Sequence, residues 1–137
     1  MKSILRIGAT GLLAALMVPA GCSDAPVSGE VTGTVKVDGK IPPAGSSITF
    51  IPADGKSPSS GAAIEDGRYS AKVPIGMAKV EIRVPRPMNL GGNAAAGPGP
   101  GGDIIEESLP AKYNDSTELT LDVKRGKNEK DWELQGK

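Results

Sequence analysis

The chain has 137 residues, of which 16 are basic, 16 are acidic and none is histidine. That length suits one domain, and the balanced charge supplies no field to steer a nucleic acid. Without histidine the commonest general base, the usual metal ligand and the pH switch of the neutral range are all missing.

Residues 1–6 carry Lys2 and Arg6, and 7–18 form an uncharged apolar run. A bilayer span needs about 20 apolar residues, so this run is too short to cross one. It fits the charged and apolar regions of a secretory signal peptide. Pro19, Ala20, Gly21 and Cys22 follow. Ala20, Gly21 and Cys22 resemble the lipobox of bacterial lipoproteins, although a Leu or Val is usual where Pro19 stands. The resemblance implies cleavage between Gly21 and Cys22, with the Cys22 sulfur diacylated and its amino group acylated as well. A single cysteine in an exported chain wants such an explanation. Acyl burial contributes about 0.8 kcal/mol per CH₂, so two or three chains hold firmly where one does not. Ser23 rather than Asp follows Cys22, which favours the outer membrane over retention at the inner one. The expected organisation is a signal peptide at 1–21, a polar tether at 22–29 and one domain at 30–137. Losing 1–21 leaves 14 basic and 16 acidic residues, a net charge of −2.

The first expected strand is 30–37, where Val31, Val35 and Val37 share a face. Gly33 on that face signals a bulge or a close backbone approach. Asp38 and Gly39 are a hairpin turn pair. A second strand at 47–52 points Ile48 and Phe50 inward, and Pro52 ends it or marks an edge. Residues 53–60 read as a loop. Asp66 and Gly67 form another turn pair between two strands. Tyr69, Ala71 and Val73 alternate with polar neighbours, as do Val80, Ile82 and Val84 in the next strand; a period of two gives each strand one dry face. A closing hairpin is expected from 119–123 and 130–135, with 125–128 as its turn and Trp132 and Leu134 inward. Seven strands of this length predict an all-β, antiparallel β-sandwich of Ig-like architecture. Residues 86–112 contain the small-residue run 91–102, which cannot bury enough area to offset its ordering entropy. A mobile Gly/Pro-rich loop is expected there, with Ile104, Ile105 and Leu109 docking on the sandwich edge.

Gly33, Val35, Asp38, Gly39 and Lys40, then Ile48, Phe50 and Pro52, then Asp66, Gly67 and Tyr69, then Pro74 and Gly76, form an ordered motif series. It resembles the carboxypeptidase regulatory-like, transthyretin-like (prealbumin-like) β-sandwich domain, as found in small bacterial lipoproteins with one such domain. Leu109, Pro110, Ala111, Lys112, Tyr113 and Asn114 match a segment that precedes the final strands there. The resemblance implies a fold and no catalytic role, since sandwich domains of this kind serve many tasks.

Turn chemistry accounts for Asp38 and Asp66, and core anchoring accounts for Tyr69 and Trp132. Asp103, Glu106 and Glu107, and Asn114 with Asp115, are the acidic groupings. Neither shows the spacing of a calcium loop, and solvated charge is expected. Lys36, Asn128 and Glu81 are the nearest approach to an isopeptide trio, but alternation turns Lys36 and Glu81 outward, which rules against one. The sequence therefore points to no catalytic residue, metal or cofactor. It points to a non-catalytic, lipid-anchored protein of the bacterial cell envelope, structural or protein-interacting. Its expected partners are the membrane through Cys22 and an envelope protein or glycan. The alternative is a surface module that binds glycan or peptide through 86–112 or a sheet edge. Pro52 and Pro85 are expected to shield edges.

Overall fold

A computed structural model describes residues 26–87 and 105–137. The expected signal peptide with Gly21 and Cys22, the first residues of the tether, Asp103 and the small-residue run all lie outside the described residues.

Two sheets face each other. One contains β1 (Ser28–Val37) and β4 (Arg68–Pro74), paired antiparallel from Ser28 opposite Pro74 to Thr34 opposite Arg68. The other runs β3 (Ser60–Ala63), β2 (Ser47–Pro52), β5 (Gly76–Arg83), β8 (Thr120–Val123), all antiparallel. The last strand is broken into β9 (Gly126–Glu129) and β10 (Trp132–Leu134), both on β1. Counted as one, it completes the expected seven strands. A short ribbon, β6 (Pro85–Pro87) with β7 (Ile105–Glu107), is additional. Alternation decides the interior: Val31, Val35, Ile48, Phe50, Val73, Val80 and Ile82 are fully buried between the sheets.

The closing hairpin is corrected. β8 pairs with β5, and the chain then crosses to the opposite sheet, where β9 and β10 run parallel to β1. Residues 125–128 are therefore not a hairpin turn. Asn128 explains the crossover. Its side-chain oxygen accepts from the Lys124 N–H at 2.8 Å, and its amide donates to the Lys124 carbonyl at 2.8 Å. The side chain thus ties back to Lys124 while the Asn128 backbone is spent on β1, opposite Val31.

Both Asp-Gly turns form as expected. Asp38 and Gly39 have φ of 51° and 74°, and Asp66 and Gly67 have 49° and 73°, the positive values a type I′ turn requires. Around Asp66 the pairing stops after one bridge, Glu65 with Arg68, because β3 and β4 then part into different sheets. Pro52 does not shield an edge, since it lies buried on β2 opposite Ala78 of β5.

The ends of the expected loop 86–112 are built into the domain. Residues 85–87 pair with 105–107, Leu109 is fully buried, and residues 111–113 form a 3₁₀ turn. Ile105 stays exposed rather than docking. The acids nearby are tied down instead of merely solvated. Glu106 receives two hydrogen bonds from the Arg86 guanidinium at 2.9 and 3.2 Å. Glu107 accepts from the Val84 and Leu109 N–H groups, each at 3.0 Å, and so holds the ribbon to the segment after it.

Candidate functional site

The break between β9 and β10 organises the interior. At Gly33 the Lys130 carbonyl comes so close that a Cβ built on the glycine would meet it at 1.8 Å. The inward carbonyl accepts the Tyr69 hydroxyl at 2.6 Å, and the Trp132 indole N–H donates to that same hydroxyl at 3.2 Å. Asp131, beside the break, accepts from the Thr34 N–H at 2.7 Å and its hydroxyl at 2.9 Å. Those bonds, the backbone one foremost, hold its carboxyl below the usual range. Burial pushes the Tyr69 phenol up to about 12, so it stays a neutral donor at ordinary pH. Tyr69 also meets Phe50 of the opposite sheet, ring centres 6.0 Å apart. Tyr69 and Trp132, 4% and 8% exposed, are core anchors as expected. Asp131 and Thr34 escaped the sequence reading; a Thr-rich strand facing an Asp just before the final apolar pair was the available signal.

The three residues weighed for an isopeptide bond are not brought together. Lys36 is exposed opposite Glu133, Asn128 sits toward the other end of β1, and Glu81 belongs to the other sheet. The acidic groupings form no metal cage either: among the described residues no three of His, Cys, Asp and Glu cluster. Asp115 is paired with Arg83 at 2.6 Å, and Asn114 is buried.

An open cleft of about 880 Å³ lies where β3 and β4 diverge. Gly61, Ala62 and Ala63 line one side, Arg68, Tyr69 and Ser70 the other, and Glu65 and Asp66 close one end. Among the described residues no strand pairs with the outer edge of β3 or of β4. The cleft therefore presents unspent backbone ladder groups beside very small side chains. Ser70 is its only aliphatic hydroxyl, and no base lines the cleft except the carboxylates of Glu65 and Asp66 at the turn.

Compared with known proteins, the chain matches no family model and no curated protein. Among solved structures it is similar to a candidate adhesin from Bacteroides ovatus ATCC 8483, at 18% identity and a TM-score of 0.49. The match covers 92% of this chain and 50% of that one, so this chain spans half the length of that protein.

Proposed function

We propose that the chain is a non-catalytic β-sandwich of the bacterial cell envelope, tethered in lipid at Cys22, that works by protein contact along its open sheet edges. The observation that carries this reading is the cleft between β3 and β4. Its two strands have unpaired ladder groups, and residues 61–63 are too small to obstruct an incoming backbone. An extended peptide adding to either edge would satisfy those groups, the usual way a sheet captures a strand. No proline lies within β3, and in β4 only the last residue is one. The lipobox-like residues before Cys22 support the tether, which would hold weak contacts at high local concentration. The resemblance to carboxypeptidase regulatory-like domains supports a module without chemistry of its own. A glycan reading is disfavoured, because the Tyr69 and Trp132 rings that could form a stacking platform are buried.

In-cell photo-crosslinking tests it. A photoreactive residue at Ala63, in the cleft, is expected to give one dominant partner band in the intact envelope. The same residue at Lys79, exposed on β5, should not. Equal, diffuse products from both positions would remove the cleft from the account and leave a purely structural role.

A further inference from the structure

The registers give the sandwich two poles. β1 and β5 begin at one, with Ser28 opposite Pro74 and Gly76 opposite Val123; both run toward the other, where the β6–β7 ribbon lies. Three of the five large exposed apolar side chains among the described residues lie at the first pole, and the other two, Ile41 and Ile105, lie toward the second. Val27, Ile75 and Met77 are 48%, 43% and 53% exposed, and the Ile75 N–H donates to the Val27 carbonyl at 2.9 Å, so these two are in contact. Met77 lies opposite Asp122. Just past Asp122 come Lys124, Arg125 and Lys127, all exposed. Asp122 is neutralised by Lys124 at 2.7 Å, whereas Arg125 and Lys127 make no ion pair among the described residues. Of the other acids here, Asp54 is folded into its own loop by the Ser57 hydroxyl and the Lys56 and Ser57 N–H groups, and Glu30 stands opposite Lys127 in the β1–β9 register without a side-chain ion pair to it.

We infer that this pole is a footing on an anionic lipid bilayer, with Val27, Ile75 and Met77 entering the headgroup region and Arg125 and Lys127 meeting lipid phosphates. The inference rests on the lipid tether proposed above and deepens it. Length selects the occupant. Val27 is five positions after Cys22, which at full extension reaches only about 18 Å. β1 alone, ten residues long, measures about 33 Å. A chain acylated at Cys22 therefore brings this pole to the membrane and holds the ribbon pole away from it. Apolar side chains fringed by cations are what an anionic interface accepts.

The test uses the full chain, processed and acylated in a lipoprotein-exporting host. Once Cys22 is acylated, Met77→Cys carries the only free thiol, and Ile41→Cys, exposed near the end of β1 that holds the other pole, is the matching control. Each is labelled with an environment-sensitive fluorophore and reconstituted into phosphatidylethanolamine–phosphatidylglycerol vesicles containing a brominated lipid. The expected result is co-flotation of both proteins, a blue shift and loss of most emission at position 77, and solution-like emission at 41. Co-flotation with position 77 as bright as position 41 overturns the footing and leaves the tether standing. A position-77 label that crosslinks to a second copy instead of being quenched assigns the patch to self-association and likewise overturns the footing. If neither protein floats, the tether falls and the footing with it.

Discussion

Gly33→Ala is expected to destabilise the domain by about 3 kcal/mol or more, at the upper end of what overpacking costs. The added methyl would meet the Lys130 carbonyl at 1.8 Å, and that atom cannot yield. It is backbone, and it is already held by the Tyr69 hydroxyl at 2.6 Å. Relief requires β9–β10 to leave β1, which would also strip Thr34 of Asp131. Gly61→Ala is the control. A methyl there meets nothing nearer than the Ile48 carbonyl at 3.5 Å, an ordinary contact, so it should be neutral or slightly stabilising by reducing unfolded-chain entropy. Urea titrations of the two variants check this, and equal midpoints would mean that the strand break does not sit against Gly33.

Trp132→Ala is expected to cost about 3–5 kcal/mol, the range for deleting a large buried aromatic. Domains hold only about 5–15 kcal/mol in all, so the loss takes a large share of the stability and a much lower melting temperature is the expected reading. Tyr69→Phe separates packing from polarity. It keeps the ring against Phe50 but leaves the Lys130 carbonyl and the Trp132 indole N–H without their shared partner. Leaving each of these two groups unsatisfied costs about 1–3 kcal/mol. A loss for Tyr69→Phe no larger than that for Trp132→Ala, in thermal melts followed by circular dichroism, is the expected order. A near-neutral Trp132→Ala would place that ring at the surface and reopen a stacking site.

Much of this architecture is written in side-chain alternation. β1, β2, β4, β5 and β8 each show a period of two, and Asp38 with Gly39 and Asp66 with Gly67 announce turns that do form. Alternation says which face is dry; it does not say which strand is the neighbour. Hence the final strand was expected beside β8, although it runs parallel along β1. β9 reads Gly, Lys, Asn, Glu and has no apolar residue, so only its backbone ladder identifies it. The β6–β7 ribbon escaped for the same reason, since Pro-Arg-Pro facing Ile-Glu-Glu has no dry face. The cleft was hidden most thoroughly. It arises because β3 and β4, joined by a tight turn, make one bridge and then separate, an event that no local pattern records. The apolar pole was equally illegible, because Val27, Ile75 and Met77 share one end of the sandwich only once β1 and β5, in opposite sheets, begin at the same pole.

The lipid tether depends most on where the mature chain starts and what it carries there. Intact-mass analysis of the protein extracted from the membrane fraction measures this directly. The expected product is a chain beginning at Cys22 whose mass exceeds that of the polypeptide by two or three acyl groups and their glycerol linkage, with Cys22→Ala recovered in the soluble fraction. A membrane-bound protein that retains residues 1–21, or that has an unmodified Cys22 thiol, would contradict it.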